Sequence, residues 1–201
     1  MRIAVIGANG RTGRLFAELA TRAGHDVVRV TRAEADATRA ESLRPLIAGA
    51  DAVVSAVGPS RRSPDGILAA STRALLEAGA TRLMTVSASG PYTDGDGVLL
   101  ARVVKPVLWR VFGGTWQDMR DSDALLAASD IDWTSMQPPQ LTDKPARGYR
   151  RRLGANVARG IRITRADLAQ AMLDALDDPS TLRERVSVGT RVRCGLVTGT
   201  E

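Results

Sequence analysis

Residues 7–13 read Gly-Ala-Asn-Gly-Arg-Thr-Gly and stand between the apolar run of residues 3–6 and a helical pattern over residues 14–20. A buried strand that must reverse into a helix within seven residues leaves few folds open. Strand, glycine turn and helix in this order separate a nucleotide-binding turn from a surface turn that happens to hold three glycines. Gly7 is expected to take the tight turn, and Gly10 to let the backbone approach a pyrophosphate. Gly13 is expected to let helix and strand pack closely. Asn9, Arg11 and Thr12 complete the turn. The helix start behind it presents free N–H groups and a positive dipole end to phosphates.

Strand and helix patterns alternate along the rest of the chain, which predicts a mostly parallel sheet covered on both faces. Further strands are expected at residues 26–31, 52–57, 82–87 and 132–136, with an edge strand at 186–188. Thr38 and Glu41 have capping-box spacing, although Ser42 is an alternative cap that would put Pro45 in the first turn. Other helices are expected at 64–78, 99–112 and 117–128, with Gly113 and Gly114 breaking the run between the last two. Thr164 and Asp167 open a final helix through residue 176. The interval after the second strand is too short for the usual helix and third strand. The expected fold is one doubly wound α/β domain over residues 1–201, with a parallel sheet and a small C-terminal cap.

Composition narrows the function classes. Hydrophobic residues make up 44% and charged residues 25% of the 201-residue chain, ordinary for a globular domain. No apolar run is long enough to cross a bilayer, and a strand beginning at residue 2 leaves no room for a signal peptide. One cysteine, Cys194, excludes an internal disulfide and fits a reducing cytoplasm. With a single His as well, a metal site is not expected. The net charge of +6 comes almost wholly from scattered arginines, and aromatics are only 3%. That favours a solvated surface with a phosphate site over nucleic-acid binding.

In such a sheet a ligand lies outside the carboxyl ends of the strands. Those ends are Gly7, Arg32, Val57-Gly58, Ser87 and Pro138-Pro139. Arg32 stands where an acidic residue would bind the ribose hydroxyls of NAD. An arginine there suits a 2′-phosphate, and hence NADP over NAD. Arg11 is a second candidate cation and Asp36 a candidate for the adenine edge. The Tyr-x-x-x-Lys pair of short-chain dehydrogenases is absent: Ala101 and Gln140 stand four before the only lysines, Lys105 and Lys144. His25 falls at the opposite edge of the sheet from the cofactor. Ser87, Ser89, Tyr92 and Gln140 remain near the expected site. Ser87 is the candidate catalytic residue, or else a strand-end serine satisfied by backbone.

With these residues the chain resembles the atypical short-chain dehydrogenase group that includes biliverdin/flavin reductase and the NmrA-like proteins. The matching stretches are residues 7–13, Val-Thr-Arg at 30–32, Ala-Asp-Ala-Val-Val-Ser-Ala-Val-Gly at 50–58 and Val-Ser-Ala at 86–88. Asp-Met-Arg at 118–120, Ile-Asp-Trp-Thr-Ser-Met-Gln-Pro-Pro at 131–139 and Ile-Thr-Arg-Ala-Asp-Leu-Ala at 163–169 also match. The resemblance implies NADPH bound along the glycine turn and at Arg32, Val57, Gly58, Ser87, Pro138 and Pro139. It implies hydride transfer to a flavin, quinone or similar small acceptor, with a non-catalytic NAD(P)H sensor as the alternative. Two departures stand out: Gln140 replaces a His directly after Pro-Pro, and the interval after Arg32 is short.

One segment admits three readings. Residues 90–97 and the apolar face of residues 99–112 are expected to form a mobile lid, a permanently packed helix or a homodimer interface.

Overall fold

The computed structural model describes residues 1–59 and 66–191, so Cys194 lies outside the described residues. The first half runs β1 (Arg2–Ile6), α1 (Arg11–Arg22), β2 (Asp26–Val30), α2 (Ala40–Ile47), β3 (Ala52–Ser55), α3 (Ile67–Glu77) and β4 (Arg82–Val86). A π-helical turn at Leu100–Val104 then leads into α4 (Lys105–Ala127). There follow β5 (Asp132–Gln137), β6 (Gln140–Thr142), β7 (Tyr149–Leu153), β8 (Arg162–Thr164), α5 (Arg165–Leu176) and β9 (Glu184–Thr190). Seven strands form one sheet in the order β2-β1-β3-β4-β5-β9-β7, parallel except for β7. This is a Rossmann-like α/β domain. The small C-terminal cap is the parallel pair β6–β8.

Strands β1, β3 and β4 are nearly all buried, as a sheet covered on both faces requires. On one face Val5, Val54, Met84 and Met136 meet Phe16 of α1 and Leu168 and Met172 of α5. On the other, Ala4, Val53 and Leu83 meet Leu43 of α2, Leu75 of α3 and Leu126 of α4. The strand order turns back between β1 and β3, which opens a crevice at their carboxyl ends.

Three sequence expectations change, and the short interval after β2 is as expected. The strand at 186–188 is longer and interior, between β5 and β9's other neighbour β7. The edge is β7, whose Tyr-Arg-Arg-Arg-Leu has no apolar alternation and becomes a strand by antiparallel pairing with β9. No third strand lies beyond β2 among the described residues, so β2 is the other edge. Thr38 does not cap α2. Its N–H and Oγ1 donate to Asp36 Oδ1 in the preceding turn, and Pro45 sits inside the helix. Gly113 and Gly114 do not break α4, although each costs about 1 kcal/mol against alanine. Packing against α3 outweighs that cost.

Part of that packing is a cap supplied by another helix. Gly66 precedes α3 with φ +76° and has no side chain to cap it. Buried Asp118 of α4 accepts instead from the N–H groups of Leu68 (2.9 Å) and Ala69 (2.8 Å). Asp118→Ala is expected to cost about 1–2 kcal/mol in urea unfolding, the range of a lost cap. Asp118→Asn, which keeps one acceptor, should recover part of it. An unchanged midpoint for the alanine variant would mean the helix start is satisfied elsewhere.

Candidate functional site

The glycine turn lies at the crevice. Gly7 has φ +80°, and its N–H and that of Ala8 donate to Val30 O at 2.9 and 3.2 Å. The turn is thereby tied to the end of β2. On its other side a Cβ at Gly7 would lie 3.2 Å from the Ala56 carbonyl carbon, just past β3. A Cβ at Gly13 would lie 2.4 Å from the Gly7 carbonyl oxygen, so only glycine lets α1 settle this close to the turn. Gly10 precedes α1, and no side chain caps that helix start. Its first N–H groups therefore have no intrahelical partner and no side-chain acceptor. Asn9 and Gly10 are exposed, and Thr12 is half-buried. This cradle fits a pyrophosphate.

Around it, Arg32 is exposed just beyond β2. So is Glu34, whose carboxylate accepts from Thr31 N at 2.7 Å and from Thr31 Oγ1. Those bonds hold the Glu34 carboxyl below its ordinary value. An acidic group therefore does stand near the end of β2, two residues past Arg32. Asp36 is occupied with Thr38. Arg11, the other candidate cation, is exposed at the start of α1. It pairs with Asp143 at 3.2 Å, and buried Arg165 holds the other oxygen of that carboxylate at 2.6 Å. Val57 and Gly58 follow β3 across from the turn. His25 lies in the turn after α1, its N–H bonded to Ala20 O.

A second group gathers at the ends of β4 and β5. Ser87 N donates to Met136 O at 2.8 Å and Ser89 N to Pro138 O at 3.0 Å, which brings Ser87 beside Pro138-Pro139. The residue that organises this group is Asp123 of α4, which the sequence reading did not single out. It is buried and accepts four side-chain bonds: from Ser135 Oγ (2.6 Å), Tyr92 Oη (2.6 Å), Gln137 Nε2 (3.2 Å) and Ser87 Oγ (3.3 Å). Burial pushes the Asp123 carboxyl above its ordinary value, and the four hydrogen bonds oppose that rise. Burial and the nearby Asp123 push the Tyr92 phenol up in turn, while Arg185, 4.3 Å from the Tyr92 ring centroid, opposes it. With its proton aimed at Asp123, Ser87 Oγ has its lone pairs left to accept. Gln140 is exposed and bonds Arg162 Nε through Oε1 at 3.1 Å.

The loop after Ser89 is tied down. Lys105, buried at the start of α4, pairs with Asp96 at 2.5 Å and donates to Ser89 O (3.1 Å) and Tyr92 O. Asn156 Nδ2 donates to Tyr92 O at 2.7 Å and Asp96 Oδ1 at 3.1 Å. Val103 and Val104 of the π-helical turn and Val107 and Val111 of α4 are exposed.

The profile of the NAD(P)H-binding family matches residues 7–179. Among solved structures, one similar chain is a Streptococcus pneumoniae protein that carries the name NADH-flavin reductase. It is 25% identical with a TM-score of 0.79, over 95% of this chain and 100% of that one. An exported protein by name, from Burkholderia pseudomallei, is 24% identical with a TM-score of 0.78, over 94% and 99%. A short-chain dehydrogenase/reductase from Veillonella parvula in complex with NADP is 19% identical with a TM-score of 0.72, over 94% of each chain. No curated protein matches the chain. Among the described residues no helix is long and apolar enough to cross a membrane.

Proposed function

The chain belongs to the NAD(P)H-binding family, and from that premise we propose that it is an NADPH-dependent reductase of a small acceptor such as a flavin or quinone. The observation that carries the reading is the cradle at Gly7, Gly10 and Gly13, where Gly7 has a positive φ, Gly13 admits no side chain and the start of α1 is uncapped. Gly10, Thr12 and the first N–H groups of α1 would hold the pyrophosphate. Val57-Gly58 would flank it, and Arg32 would take the 2′-phosphate. Ser87, with its proton directed to Asp123, would accept from the carboxamide at the nicotinamide end, beside Pro138-Pro139. The cofactor supplies a hydride when bound. The chain has no Tyr–Lys pair to deliver a proton, so water delivers it to the reduced acceptor. The likeness to the Streptococcus pneumoniae protein supports a flavin among the acceptors. A cytoplasmic location is part of this proposal.

Incubation with NADPH and a panel of flavins, quinones and tetrapyrroles, following loss of reduced cofactor, tests the reading. Oxidation dependent on one acceptor class is the expected result. Tight NADPH binding with no turnover on any acceptor would favour a non-catalytic sensor, the reading to which the missing Tyr–Lys pair also points.

Arg32→Ala is expected to weaken NADPH binding by about 1.5–3 kcal/mol, roughly 10- to 150-fold, and NADH binding little. Titration of both cofactors against both proteins reads it. Glu34 makes this a sharp test, because a carboxylate near the end of β2 suits the free ribose hydroxyls of NADH. Equal losses would remove Arg32 from the 2′-phosphate site.

A further inference from the structure

Aromatic residues are scarce in this chain, with three Trp, two Tyr and two Phe in 201 residues. Four of the seven gather in one place. Trp109 and Trp116 of α4 meet edge to face with ring centroids 5.3 Å apart, and Phe112 stacks on Trp116 at 6.1 Å. Tyr92 stands across from them on the tied-down loop. Between the loop and α4 lies a cavity of about 600 Å³ walled by Tyr92, Trp109 and Trp116. That size suits a ligand of drug-like dimensions.

The wall depends on a residue that lacks a side chain. A Cβ at Gly90 would lie 2.7 Å from Cε2 and Cζ2 of Trp116, so only glycine lets this indole seat against the loop. The charges around the cavity are mostly positive. Arg110 and Arg120 line it, and the Arg120 guanidinium lies 5.9 Å from the Trp109 ring centroid. Lys105 is committed to Asp96, and Asp94 is the one carboxylate in the lining. Flat indole faces favour a planar ring by stacking, and guanidinium groups favour an anion by paired hydrogen bonds.

We propose that this cavity binds a planar aromatic ring bearing an anionic group, and specifically a phosphorylated flavin. The choice of flavin rests on the reductase reading above. The cavity's preference for a flat anion does not. The ring lies against Trp109, and the phosphate reaches Arg110 and Arg120. The cavity lies apart from the glycine cradle, and Tyr92 links it to Asp123 and thereby to Ser87.

Quenching of tryptophan fluorescence by flavin mononucleotide and by riboflavin, without NADPH, tests the proposal. Saturable quenching is expected, with flavin mononucleotide at least tenfold tighter than riboflavin. The double variant Arg110→Ala/Arg120→Ala should abolish that tenfold preference and leave riboflavin binding unchanged. Trp109→Ala should weaken both ligands. Neither should alter NADPH affinity, and Gly10→Val should leave flavin binding intact. If Trp109→Ala fails to fold, the arginine pair on the surface decides. Flavin binding that ignores these variants, or that is lost with Gly10→Val, would overturn the site. Flavin bound here with no turnover on any acceptor would leave the site standing and sink the reductase reading. Turnover on flavin mononucleotide unaffected in the variants would do the reverse.

Discussion

Gly10→Val is expected to abolish binding of NADPH and NADH alike, a loss of at least 100-fold, while the domain stays folded. The backbone at Gly10 has φ −67° and ψ 158°, an extended conformation open to any residue. A Cβ there would lie 3.1 Å from the Gly7 carbonyl oxygen, which a few tenths of an ångström of movement relieves, and in ordinary contact with that of Ala56 at 3.9 Å. The added isopropyl group would occupy the space in front of the first N–H groups of α1. A pyrophosphate held there must come within hydrogen-bond distance of them. Gly13→Ala gives the contrast. Its Cβ would lie 2.4 Å from the same Gly7 oxygen, too close for a few tenths of an ångström to relieve, so about 1–3 kcal/mol of stability is expected to go. Circular dichroism with cofactor titration separates the two. A folded Gly10→Val protein that keeps its affinity would place the nucleotide elsewhere.

The second large effect belongs to Asp123. Asp123→Ala removes the acceptor of four side-chain donors at once, three of them buried and Tyr92 half-buried. Each buried donor left unsatisfied costs about 1–3 kcal/mol, and partial re-pairing among them leaves an expected loss of roughly 2–5 kcal/mol. The direction with pH is opposite to that of an exposed, hydrogen-bonded carboxylate such as Glu34. Burial raises the folded value of Asp123 above its unfolded value. Between the two values the folded protein holds a proton that the unfolded chain has released. Wild-type stability attributable to Asp123 is therefore present at low pH and lost as pH rises through that window. Asp123→Asn lacks the titration, so the variant should gain on wild type as pH is raised from about 4 towards neutrality. Urea unfolding of both proteins across that range measures the difference. Parallel curves would show that the carboxyl does not titrate differently in the two states.

What could be read from the chain was local. The glycine turn announces itself because its three glycines, its strand and its helix are contiguous. Thr164 and Asp167 were readable for the same reason: Asp167 N donates to Thr164 Oγ1 at 3.0 Å, three residues apart. What stayed hidden depends on partners far along the chain. Asp123 takes its meaning from Ser87, Tyr92, Ser135 and Gln137, brought together only once β4, β5 and α4 are packed. Asp167 has a second task of this kind, accepting from Gly148 N at 2.9 Å and so setting the turn before β7. Strand β7 itself is legible only in its register with β9. Gly113 and Gly114 misled because helix propensity is a weak preference that the packing of α3 and α4 overrides. Arg11, expected in the turn, is the first residue of α1, and its side chain pairs with Asp143, more than a hundred residues on.

Strand β7 has one more consequence. An edge strand offers open backbone donors and acceptors to any strand that approaches. Here the offer comes with Arg150, Arg151 and Arg152 in succession. Asp178 answers Arg151, and the Ala158 carbonyl oxygen accepts from Arg150. Two copies aligning these edges would set one arginine triplet against another at the ~4.8 Å spacing of neighbouring strands. That is well inside the screening distance of about 8 Å at physiological salt and beyond the roughly 3 Å at 1 M. The β7 edge thus resists pairing with its own copy by charge, and that resistance depends on electrolyte: it holds in dilute solution and weakens in brine.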